Sequence, residues 1–159
     1  MATITRFEDI AAWQRARTLS RRIFELTREG DFTRDFKLRD QINGASGSVM
    51  DNISEGFERD GKFEFRQFLS IAKGSCGEVR SQLYRALDRK YITQETFNEL
   101  YKEAENIGKM LASLMRYMNT TEHRGLKFKE PETIYKRAED EKLVLSEEIN
   151  SLEWHAETF

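Results

Sequence analysis

The chain has 159 residues, 38% of them hydrophobic and 34% charged, with a formal net charge of −2 and a mean hydropathy of −0.71. That length fits one domain with a sizeable core, and three valines argue against a sheet-rich fold. No apolar run reaches the roughly 18 residues a membrane span needs, and no basic stretch leads into an apolar one at the N-terminus, so a cytoplasmic protein without membrane contact is expected.

Helical periodicity begins at Phe7 and runs to Glu29, with Phe7, Ile10, Trp13, Leu19, Ile23 and Leu26 near one face. Thr5 followed by Glu8 fits a capping box, and Gly30 fits a stop. A second predicted helix covers 35–56, with Leu38, Ile42, Ala45, Val49 and Ile53 at strict helical spacing. A third covers 62–90 and gathers Phe65, Phe68, Leu69, Ala72, Cys76, Val79, Leu83 and Leu87. The fourth follows Thr93, a good N-cap residue, through Phe97, Leu100, Ala104, Ile107, Leu111 and Leu114.

Such helices are roughly 30–40 Å long, and their short connections make successive helices antiparallel neighbours. The expected fold class is all-α: an up-down-up-down four-helix bundle over residues 1–120, then a C-terminal extension, 121–159. The extension has 6 basic and 10 acidic residues. Within it GLKFKE alternates like a short strand, and EPETIYKRAEDEK suits a helix with Pro131 in its first turn. Leu143, Val144, Leu145, Leu152, Trp154 and Phe159 are too apolar for a solvating tail, so the extension is expected to dock on the bundle or on a partner.

Glycine inside a helix costs about 1 kcal/mol relative to alanine, so the pairs Gly44/Gly47 and Gly74/Gly77 call for a reason. A hairpin centred near Arg59–Asp60 sets Gly44 level with Ser75 and Gly47 level with Ala72. Two small-residue patches meeting at one height predict a close approach of helices two and three. Farther along, Ser48, Asn52 and Gly56 form a polar, small-residue column, and Glu55 stands four before Arg59 in the favoured ion-pair orientation.

Signatures of catalysis are missing. No phosphate-cradling glycine loop follows a strand, and no zinc or other metal spacing occurs. His123 and His155 lie in the extension, Cys76 sits on an apolar stripe with no histidine near it, and no cofactor is implied. Charge is more informative. Residues 1–120 hold 20 basic and 18 acidic residues. Arg15, Arg17, Arg21 and Arg22 cluster in the first helix. Residues 59–90 add Arg59, Lys62, Arg66, Lys73, Arg80, Arg85, Arg89 and Lys90 against four acids. A basic body with an acidic tail can bind phosphate backbones, or the tail can mask that surface.

The stretches FEDIAAWQRA, QI..A..S...NI.EG..R across 41–59, and FLSIAKGSCGEV at 68–79 carry a resemblance. Over about residues 7–118 the chain resembles the four-helix-bundle proteins encoded in intervening sequences of bacterial large-subunit ribosomal RNA genes, relatives of the accessory variability determinant of diversity-generating retroelements. In this chain the pattern includes Gln41, Ser48, Asn52, Glu55 and Gly56. Where that family has basic or aliphatic residues, this chain has Asn43, Gly44, Gly47 and Asp51. The resemblance implies a non-enzymatic homopentamer that binds RNA or DNA, a reverse transcriptase, or both, through basic surfaces. The twelve basic residues named above are the expected phosphate contacts. The competing expectation is a purely protein-binding module whose tail recruits or inhibits a partner.

Overall fold

The computed structural model describes residues 4–120. A 3₁₀ turn, η1 (Phe7–Asp9), precedes α1 (Ala11–Leu26); a second, η2 (Gly30–Arg34), leads into α2 (Phe36–Glu58), α3 (Lys62–Asp88) and α4 (Gln94–Thr120). The four expected helices are present in the expected order, and the fold is all-α. The strand and helix expected beyond residue 120 lie outside the described residues.

The first segment is not one helix. Ile10 is extended (φ −74°, ψ 118°) and fully buried, which splits η1 from α1. The capping box of Thr5 and Glu8 does not form, because that box needs a helix starting at residue 6 and α1 starts at Ala11. Glu8 instead accepts from Arg6 at 3.0 Å, and its carbonyl accepts from Gln14 Nε2 at 2.8 Å. Gly30 comes after the helix end and opens η2 with φ +52°, a backbone region that glycine enters without strain.

Side-chain caps fix the starts of α2 and α4. Asp35 Oδ1 accepts from the Leu38 N–H at 3.1 Å, and Thr93 Oγ1 accepts from the Thr96 N–H at 3.2 Å, each satisfying a donor the helix leaves open. All five stripe residues of α2 and all six of α4 are buried. In α3 the stripe ends on Ala86 rather than Leu87, which is half-buried. In α1, Ala12 and Ala16 join Leu19 and Ile23 inside. Each helix packs on its two neighbours, α1 on α2 and α4, and α3 on α2 and α4. Helices α1 and α3 therefore stand diagonally across the core.

The glycine pairs do not make the close approach. Nothing lies within 4 Å of a Cβ placed on Gly44, Gly47 or Gly74, and for Gly77 only Arg80 Nη2 comes near, at 4.0 Å. These glycines fall between the stripe residues, so helical phase turns them outward. The register also differs by about one turn, since Ser48 rather than Gly44 meets Ser75, with hydroxyls 3.0 Å apart. Side chains lean towards their own helix N-terminus, so meeting residues on antiparallel helices both lie later in sequence than level Cα positions suggest.

The close approach is at Gly56. A Cβ there would lie 2.5 Å from Phe68 Cβ and 3.1 Å from Phe65 Cδ2. Gly56→Ala is expected to destabilise the bundle by about 1–3 kcal/mol through overpacking. Gly44→Ala and Gly74→Ala are each expected to stabilise it by up to about 1 kcal/mol. Urea denaturation followed by circular dichroism checks both, and an unchanged midpoint for Gly56→Ala would show that α2 and α3 can part at no loss.

Candidate nucleic-acid interface

Helix α1 divides its four arginines. Arg15 and Arg22, seven apart, turn towards α4. Arg15 grips Glu103 with two bonds, Nε to Oε1 at 2.8 Å and Nη2 to Oε2 at 2.6 Å, in a setting where both side chains are under a quarter exposed. Arg22 Nη2 donates to Glu99 Oε2 at 2.5 Å. Arg17 and Arg21 face outward, with the Arg17 guanidinium 5.9 Å from the centre of the Trp13 ring.

The second group divides as well. Arg59 donates to Glu55 Oε1 at 2.5 Å, the expected pair, and lies over the Phe68 ring. Arg89 pairs with the Asp35 carboxylate, and Arg85 Nη1 donates to Gln41 Oε1 at 2.9 Å. Lys62 opens α3, while Arg80 stacks on Tyr101 at 5.6 Å with its Nε buried. Among the described residues Arg66, Lys73 and Lys90 are exposed and make no ion pair. Arg66, Lys73 and Arg80 recur every seven residues and so share one edge of α3. Because α1 and α3 are diagonal, a single chain presents their outward cations on separate surfaces.

The residues Gln41, Ser48, Asn52 and Gly56 line the α2 edge that meets α3. Asn52 Nδ2 donates to Ser48 O at 2.8 Å and Ser48 Oγ at 2.9 Å; that hydroxyl meets Ser75 Oγ, which donates to Ile71 O at 3.2 Å. Every member of this half-buried chain has a partner, so the column ties the hairpin together.

Sequence reading missed an open cleft of about 550 Å³, lined by Phe24, Thr27, Arg28, Thr33, Arg39, Asp40 and Asn43. It lies where α1 ends and α2 begins. Phe24 and Arg28, four apart, are stacked at 5.3 Å; the same spacing of Trp13 and Arg17 is the sequence signal that could have found them. No group of three side chains able to hold a metal ion occurs among the described residues, and both histidines lie outside them. Burial pushes the Cys76 thiol up to about 12, which leaves it protonated and unreactive at neutral pH.

Comparison with known proteins bears on this arrangement. The sequence pattern of the 23S rRNA-intervening sequence protein family matches residues 8–113. A crystal structure from Bacteroides thetaiotaomicron VPI-5482, described as a protein of unknown function from the S23 ribosomal protein family, has the same fold. It is 22% identical, with a TM-score of 0.61 over 67% of this chain and 99% of that one. No match is found among curated proteins.

Asp35 joins both ends of the hairpin. The Leu38 N–H above all holds its carboxyl below the usual aspartate range against the opposing effect of burial, and Arg89 and the Tyr91 hydroxyl add to it. A depressed folded value means its contribution is fully present above the ordinary value of about 4 and disappears as pH falls through the lower, folded one. Asp35→Asn keeps an acceptor for the cap but removes the charge. It is expected to lower the melting temperature at pH 7 and to lose less stability than the parent below about pH 4, read by melting curves across pH.

Proposed function

The chain belongs to the 23S rRNA-intervening sequence protein family, and from that premise we propose that it is a non-enzymatic, self-associating scaffold that holds nucleic acid. The observation carrying this reading is the division of its cations. Arg15, Arg22, Arg59 and Arg89 are neutralised within the fold. Arg17, Arg21, Arg66, Lys73 and Lys90 stand outward with no ion pair among the described residues. Outward cations with no internal partner attract phosphate at little cost, since no ion pair must break first. Five copies in a ring repeat these contacts around one ligand, so modest charge per chain gives useful avidity. A reverse transcriptase carrying its own nucleic acid fits the same surfaces.

Light scattering with absorbance at 260 and 280 nm is expected to give a mass near five chains, with excess absorbance at 260 nm. Engagement of four phosphates predicts roughly a hundredfold loss of affinity between 50 and 200 mM salt. The Arg66→Ala/Lys73→Ala double variant is expected to bind more weakly and with a shallower salt dependence. A monomer, or binding that ignores salt, would overturn the reading.

A further inference from the structure

We infer that the cleft between the end of α1 and the start of α2 takes an unpaired base and its adjoining phosphate from a single-stranded nucleic acid. This rests on the nucleic-acid reading above and narrows it to a strand type and a place.

The cleft, about 550 Å³, has the size usual for a small organic group. One wall is the Phe24 ring, 51% exposed. An apolar ring left half in water on the rim of a cleft offers a stacking face, and every base has a matching one. Arg28 stands over that ring and makes no ion pair among the described residues, so its guanidinium is available to a phosphate. Arg39, also in the lining, stacks on Phe36, itself 63% exposed, and its Nη1 is fixed on the Thr33 carbonyl at 3.3 Å.

The polar lining fits a base edge better than a second phosphate. Asn43 Nδ2 uses both hydrogens, on Thr27 Oγ1 and on the Arg39 carbonyl, each at 2.9 Å. Its Oδ1 is therefore held in place as an acceptor. Asp40, paired with Arg39 Nε at 3.1 Å, adds a carboxylate that repels phosphate and accepts N–H. The lining thus supplies both acceptors for a base edge and, in Arg28, a guanidinium without an ion pair for a phosphate.

The approach to the cleft has the same chemistry. Trp13, Arg17, Arg21 and Phe24 follow at steps of three or four residues along α1, a track of roughly 17 Å, and Arg28 continues it in the turn just beyond. Two rings and three cations along one line suit a strand whose bases are free to stack. A duplex keeps its base faces covered and offers only phosphate.

The test uses the full chain and fluorescence anisotropy with a labelled 12-nucleotide RNA, as a non-pairing single strand and as a duplex. Phe24→Ala and Arg28→Ala are each expected to weaken single-strand binding about fivefold or more and duplex binding less than twofold; Phe24→Tyr, which keeps the ring, is expected to bind like the parent. Both side chains lie outside the core, so melting curves should match the parent's. Unchanged single-strand binding by Phe24→Ala, with salt-sensitive binding by the parent, overturns the cleft and leaves the charge reading standing. A parent that binds neither RNA overturns both. Adenosine monophosphate binding as tightly as the strand, and lost in Phe24→Ala, would assign the cleft to free nucleotides instead.

Discussion

Gly56 allows α2 and α3 to approach until a single added carbon would strike Phe68, and this contact sets the height at which the two helices meet. The other bonds of the hairpin keep that register. Ser48 meets Ser75, Gln41 receives Arg85, and Asp35 receives Arg89 and Tyr91. One end is closed by the turn 59–61, where Asp60 takes φ +56°, and the other by a helix cap that also serves as an ion-pair partner. Helices α1 and α4 then close the far side of the core, joined through Arg15 and Glu103. A bundle built this way has one closely packed edge, α2 on α3, and a shorter, sparser seam, α1 on α4, opposite.

The same geometry decides what its charge can do. Cations on the flanks of helices meet acids on the next helix and serve the fold. Of those on outward faces, Arg59 and Lys109 pair with acids four residues back, whereas Arg17, Arg21, Arg66 and Lys73 make no ion pair among the described residues. Position around the helix, more than position in the chain, separates the two kinds. Arg15 and Arg17 differ by two residues, one sealed against α4 and the other facing out.

Helix order, the stripes of α2 and α4, the cap at Thr93 and the Glu55–Arg59 pair were all legible in the sequence, because each depends on spacing within one helix. What escaped depends on relations between helices. The glycine pairs suggested a close approach because small residues permit one, but permission is not contact. Gly56 was legible as the end of the column Ser48, Asn52, Gly56, but its contact with Phe68 needs the lean of that side chain from the facing helix. The split of α1 at Ile10 was hidden by a stripe that continues across it. The division of arginines could not be read until α4 supplied Glu99 and Glu103. The cleft at Phe24 and Asn43 joins residues from two helices and a 3₁₀ turn, which no single period reveals.

The bond between Arg15 and Glu103 joins positions 88 residues apart, whereas α2 and α3 are linked through three residues. Chain-closure entropy therefore favours the hairpin early and the α1–α4 seam late. On a ribosome, α1 emerges first yet lacks its carboxylate partners until α4 has been made. For that interval Arg15 and Arg22 add two unpaired positive charges to the nascent chain. Completion of α4 pairs both with carboxylates. The finished bundle thus carries less unpaired positive charge along α1 than the growing one, and the arrival of α4 makes the difference.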